Sequence, residues 1–242
     1  MKVPYATKGE WFWDILFPAS CLACGETLQY SKKEIFCPIC RQNMVISDTH
    51  LIPNHPLKKR LNKEFPFHLT FSKYRFPNKS RAVSRLIYGL KYQNLLYIGH
   101  IEGEEYGKII SPWLKEHRVT GLIPTPLHWQ KEIKRGYNQS VEFAKGLSRT
   151  THLPIMTSIL RRVKRTRSQT SLNKKERLKN MHKAFQAKPA PSLMQQTQPL
   201  HFLLIDDVIT SGTTLSEMAR TLRSVYPDCQ CSICTLAYKD YG

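Results

Sequence analysis

Two periods of apolar residues run through this chain, and an element begins or ends where one gives way to the other. Phe67-His68-Leu69-Thr70-Phe71-Ser72-Lys73-Tyr74-Arg75-Phe76 is rich in strand formers and partly alternates, which predicts a strand or a hairpin arm. Helical spacing then takes over. Val83, Leu86, Ile87 and Leu90 share one stripe behind a cap at Asn78 or Ser80. A second helix over 96–115 turns Tyr106, Ile109, Ile110 and Trp113 toward the core. Gly121-Leu122-Ile123 predicts a short strand ended by Pro124 and Pro126, since neither proline suits a paired central strand. Asn138 caps a helix carrying Val141, Ala144 and Leu147, Leu153-Pro154-Ile155-Met156 opens an extended segment, and 173–182 reads as helix. The run from His201-Phe202 through Leu203-Leu204-Ile205 has the length and branching of a buried parallel strand. Leu215, Met218, Ala219 and Leu222 follow at helical spacing, and residues 229–238 predict a last strand. Two stretches read as connections: 47–66, with Pro53, Pro56, Pro66 and a solvated Lys58-Lys59-Arg60, and 187–199, with Pro189, Pro191 and Pro199.

Length and composition bound this picture. The chain has 242 residues, enough for one core of about 150–200 residues and a small appendage. Hydrophobic residues make up 41%, which excludes wholesale disorder. No stretch approaches the ~18 continuous apolar residues of a membrane span. Trp11-Phe12-Trp13-Asp14-Ile15-Leu16-Phe17 is too short and too polar for a signal peptide, so the expected location is cytoplasmic.

Charge changes the picture more. With 37 basic against 18 acidic residues the net charge is +19, which favours a polyanionic or phosphorylated partner. Residues 160–183 hold ten of the basic side chains, among them Arg161, Arg162, Arg165, Arg167 and Arg177, against Glu176 alone. This run is either a solvated face or a mobile loop that closes over phosphates.

Candidate chemistry lies in two places. Cys21-Leu22-Ala23-Cys24 and Cys37-Pro38-Ile39-Cys40 can bring two knuckles to one tetrahedral Zn²⁺. Four thiolates close the coordination sphere, which favours a structural site over a redox dithiol or an iron–sulfur cluster. Cys229, Cys231 and Cys234 have no partner spacing for a metal and read as buried strand residues. No histidine has a metal-like or nucleophile-like spacing, and only His128 lies near a candidate site.

The second place is Asp206-Asp207-Val208-Ile209-Thr210-Ser211-Gly212-Thr213-Thr214, where the predicted buried strand meets a helix. A strand, a small-residue loop and a helix aim N–H groups and hydroxyls at an anion, while two carboxylates suit ligand hydroxyls or Mg²⁺. Phosphate at one end and vicinal hydroxyls at the other describe a sugar phosphate. Taken piece by piece, the same residues are also an ordinary strand end with a Ser/Thr cap. Pro124-Thr125-Pro126, with Lys131, Lys134 and Arg135 behind it, is either an ordinary turn or a second anion loop.

Together these motifs resemble the ComF (competence protein F) family over nearly the whole chain. The resemblance rests on Cys21, Cys24, Cys37 and Cys40, on residues 123–128, and on Arg135-Gly136-Tyr137-Asn138-Gln139. It rests also on Thr166, Gln169, Leu172, Arg177 and Asn180, and on 205–214, where Ser211 stands in a place the family usually gives to threonine. It implies an α/β fold, a type I phosphoribosyltransferase-like parallel sheet flanked by helices and preceded by a small zinc ribbon. Residues 1–57 would form the zinc module and linker, and 58–242 the phosphoribosyltransferase-like domain. The resemblance further implies phosphoribosyl pyrophosphate (PRPP) as ligand. Asp206 and Asp207 would hold the ribose hydroxyls, and Thr210, Ser211, Gly212, Thr213 and Thr214 the 5′-phosphate. Pro124, Thr125 and Pro126 would face pyrophosphate with Mg²⁺, and Arg161, Arg162, Arg165, Arg167 and Arg177 would form a lid or contact nucleic acid.

Two functions follow from it. One is DNA uptake in natural transformation, with single-stranded DNA and competence or DNA-processing proteins as partners and PRPP as a bound ligand. The other is an active phosphoribosyltransferase passing phosphoribosyl from PRPP to a nitrogen nucleophile, for which no acceptor motif is legible.

Overall fold

The computed structural model describes residues 20–28, 35–76, 81–163, 183–190, 193 and 198–240. The cap at Asn78 or Ser80, the helix over 173–182, and Arg165, Arg167 and Arg177 lie outside them.

In chain order the elements are α1 (Pro38–Gln42), α2 (Pro56–Asn62), β1 (Thr70–Phe76), α3 (Arg81–Tyr92), α4 (Leu96–Glu116), β2 (Gly121–Pro124), α5 (Trp129–Arg135), α6 (Gln139–Thr151), β3 (Leu160–Arg162), β4 (Phe185–Ala187), β5 (His201–Ile209), α7 (Thr213–Arg223) and β6 (Gln230–Lys239). Four strands form one sheet in the order β1-β6-β5-β2, and every pairing is parallel. This is the α/β architecture that the resemblance implied. β3 and β4 form a separate antiparallel pair.

Alternation along β5 decides which face each residue serves. Leu203 and Ile205 join a core with α3, α4, α6 and the cysteine segment, while Phe202 and Leu204 join a second core with α2, α7 and the β3–β4 pair. Both faces of the sheet are therefore covered, as parallel strands of nearly continuous Leu and Ile require.

The first core is held tightly by α4 and α6. A Cβ on Gly103 would lie 2.4 Å from the Phe143 carbonyl oxygen, and one on Gly146 would lie 2.3 Å from that of His100. The two backbones touch because these positions carry no side chain. Lys73 and Glu102 are buried in the same layer, Nζ to Oε2 at 2.6 Å, and Tyr74 donates its hydroxyl to Glu102 at 2.7 Å. Arg41, from α1, reaches Glu102 at 2.5 Å and so ties the cysteine segment to the core.

Three expectations are corrected. Residues 56–62 are not linker but helix, with Leu57 and Leu61 buried against α7 and β5, and Arg60 is not solvated but bonded to carbonyls of 210 and 239. Pro124 is paired, opposite Ile205; it is the last residue of its strand, and the next donor needed there comes from Thr125. Ile109 faces solvent, while Tyr106 and Ile110 fill the core. The three strand cysteines are buried as expected, Cys229 and Cys231 on one face and Cys234 on the other.

Candidate functional site

β2 and β5 are neighbours, so the residues beyond their C-terminal ends meet, at the edge where open parallel sheets bind ligands. Thr125 donates its N–H to the Ile205 carbonyl at 2.8 Å and its hydroxyl to the same oxygen at 2.9 Å. Its own carbonyl accepts from Asn138 Nδ2 at 3.0 Å. Thr125 is thus spent on holding the loop, and Pro124 and Pro126 form a stiff wall beside the end of β5.

The two carboxylates meet the first turn of α6. Asp207 is buried and accepts from Lys91 Nζ at 2.9 Å and from Gln139 Nε2 at 3.2 Å. Asp206 accepts from Ser140 Oγ at 3.2 Å and from the Asp207 N–H at 2.9 Å. Asn138 caps α6 by accepting from the Ser140 N–H, which fixes the turn carrying both donors. Burial first, and then the Asp207 charge, pushes the Asp206 carboxyl up to about 7. Burial alone would discharge Lys91, but Asp207, and then Asp206, hold its pKa above the usual value.

After β5 the loop turns at Gly212, whose φ of +84° is left-handed. A Cβ there would also lie 2.2 Å from Leu61 Cδ2. α7 starts at Thr213 without a side-chain cap, so its positive end faces the loop. Ser211 Oγ and Thr213 Oγ1 lie 2.9 Å apart, and Arg60 donates to the Thr210 carbonyl at 3.3 Å. Thr210, Ser211 and Thr214 are half-buried, within reach of a ligand, whereas Gly212 and Thr213 are buried.

The basic segment divides. Arg161 is exposed and donates from Nε to Gln186 at 2.9 Å. Arg162, on the other side of β3, stacks over Phe185 at 5.4 Å; burial lowers its pKa and the charge of Asp206 opposes that shift. His128 is buried and caps α5, accepting from the Gln130 N–H at 3.4 Å.

At the other end of the chain, Cys21, Cys24, Cys37 and Cys40 bring four sulfurs within 4.8 Å of one another. Zn–S bonds of about 2.3 Å in a tetrahedron place sulfurs about 3.8 Å apart, and Cys24 and Cys37 stand at 3.8 Å. Burial opposes ionisation of Cys21, but N–H donors from Cys24, Cys37 and Ala23 bring its pKa down to about 6. The four residues could hold a metal ion such as zinc. Among the described residues, no helix is long and apolar enough to cross a membrane.

Lys91, Ser140 and Leu61 were not singled out from sequence, and Arg60 was read only as part of a solvated triplet. Each is positioned by packing between segments far apart in the chain. Lys91 carried one usable signal, a lone lysine at the end of an apolar helical stripe.

The acid pair near the end of β5 and the left-handed turn into α7 both lie in a stretch that matches a known family. Residues 138–241 match the family described as Phosphoribosyl transferase domain. Over most of its length the chain is similar to Competence protein F of Haemophilus influenzae, 27% identical over 208 residues, which are 85% of this chain and 79% of that protein. It is similar also to DNA utilization protein YhgH of Escherichia coli K12, 27% identical over 210 residues, or 84% and 83% of the two chains. The similarity to these two proteins covers most of a chain that carries both the four-cysteine module and the α/β domain.

Proposed function

We propose that this chain binds PRPP with Mg²⁺ and acts in DNA uptake or use in natural transformation, with single-stranded DNA as a partner. One observation carries the ligand: two adjacent carboxylates near the end of a parallel strand that runs to Ile209, followed by a left-handed glycine and an uncapped helix start. Asp206 and Asp207 take the ribose hydroxyls, and Thr210, Ser211, Gly212, Thr213 and Thr214 take the 5′-phosphate. The wall at Pro124 and Pro126 faces pyrophosphate, with the inward-turned Thr125 holding it in place, and Arg162 stands beside the pair. Bound Mg²⁺ would offset the pyrophosphate charge, with carboxylate oxygens at hand. The DNA part of the reading is supported by the printed names of the relatives, competence and DNA utilization, and by the net charge of +19. On this reading the four cysteines hold a structural zinc, the protein works in the cytoplasm, and the boundary expected between 57 and 58 falls before Pro56, so that α2 stays whole with the second domain.

Calorimetric titration tests the ligand. Wild type binds PRPP in the presence of Mg²⁺, and Asp206→Asn with Asp207→Asn abolishes that binding. A wild type that binds no PRPP removes the proposal. For DNA, log affinity for a single strand falls linearly with log salt, and Arg162→Glu makes the slope shallower.

A further inference from the structure

A second surface lies next to the acid pair, and it is aromatic as well as basic. α3 exposes Tyr88 and Tyr92, four residues apart, at 48% and 66%, with ring centroids 5.2 Å apart. α5 exposes Trp129 and Ile133, also four apart, at 60% and 75%. The two helices are joined: the Arg135 guanidinium lies 5.5 Å from the centre of the Tyr92 ring, and the Tyr137 hydroxyl donates to the Leu90 carbonyl. The same residues lead inward. Arg135 Nη1 donates to Gln139 Oε1 at 2.5 Å, Gln139 donates to Asp207, and Lys91, next to Tyr92, pairs with Asp207.

Large aromatic side chains grouped on a surface mark a contact site more often than plain solvent exposure. Charge identifies the partner. Apart from Lys91, which pairs with Asp207, α3 and α5 bring Arg81, Arg85, Lys131 and Arg135 against one acid, Glu132. Rings that offer a flat face, interleaved with cations, fit a chain that carries bases and phosphates together. An apolar protein partner would use the rings but not the cations beside them.

We propose that the α3–α5 face is a stacking platform for single-stranded DNA, with bases on Tyr88, Tyr92 and Trp129 and phosphates on the cations around them. The strand so held runs past the mouth of the sugar-phosphate pocket. This rests on single-stranded DNA being a partner, as proposed above, and it adds a contact to the bases to the charge contact tested at Arg162.

Fluorescence anisotropy distinguishes the two levels. The probes are an oligothymidine of about 20 nucleotides and an abasic strand of the same length, titrated into the full chain and into a Tyr88→Ala, Tyr92→Ala, Trp129→Ala variant whose melting temperature is measured alongside. The variant loses about tenfold or more in affinity for oligothymidine and little for the abasic strand, because stacking needs bases. Oligothymidine also quenches tryptophan emission in wild type, and Trp129→Phe removes most of that quenching. If wild type binds both strands equally, or the variant keeps its oligothymidine affinity, the platform is overturned while DNA binding stands. Loss of a protein partner with DNA affinity intact overturns it as well. No DNA binding by wild type removes the reading beneath it.

Discussion

Asp206 carries the pH behaviour of the pocket. In the folded chain its carboxyl is raised from 3.8 to about 7, by burial and then by Asp207. The unfolded chain releases this proton as pH passes about 4, whereas the folded chain keeps it to about 7. Folding therefore loses stability as pH rises through that window, and the loss is complete above it. Asp206→Asn has nothing to ionise, so it melts a few degrees above wild type at pH 8, and the gap closes by pH 4. Thermal melts across pH read this directly, and a gap that ignores pH would place its cause outside the carboxyl. The carboxylate pair was legible as a site because two adjacent acids, a small-residue loop and a helix start follow an apolar strand in that order. Lys91 was not, since its partner Asp207 is reached only when α3 packs beside β5.

At the scale of elements, α6 is what makes the acid pair a site. Its first turn supplies Ser140 and Gln139, and its body is pressed onto α4 at Gly103 and Gly146. Gly103→Ala puts a methyl group against the Phe143 carbonyl, an obstruction made of backbone that cannot swing away. We expect a loss of about 1–3 kcal/mol, measured by urea denaturation, with weaker PRPP binding as α6 shifts. An unchanged denaturation midpoint would show that the helices can separate at no cost. The helices with long apolar stripes were legible because periodicity accumulates over several turns. α2 was not: its two buried residues, Leu57 and Leu61, span one turn, and the prolines and basic triplet around them read as connection. Pro56 instead starts the helix, where its missing N–H costs nothing.

At the scale of the molecule, the four-cysteine module is not an independent bead. Cys21, Cys37, Ile35, Phe36 and Met44 share one core with Leu86, Ile98 and Tyr106, and Arg41 reaches the buried Glu102. Stripping metal from the cysteines is therefore expected to lower the melting temperature of the whole chain in a single transition. Scanning calorimetry with and without a chelator decides this; two separate transitions would mean that the module unfolds by itself.

What this chain's sequence determined alone was everything written locally: the cysteine pairs, the strand that carries Asp206 and Asp207 and runs on to Ile209, the glycine turn into α7, the cap at Asn138 and the excess of positive charge. Short-range spacing and backbone preference suffice for these. Tertiary structure alone decided which groups the carboxylates meet, that Thr125 turns inward, that Leu61 closes over Gly212, and that Tyr92 and Arg135 share a face. Those contacts join segments distant in sequence, and only the parallel stacking of β1, β6, β5 and β2 brings them within a few ångströms of one another.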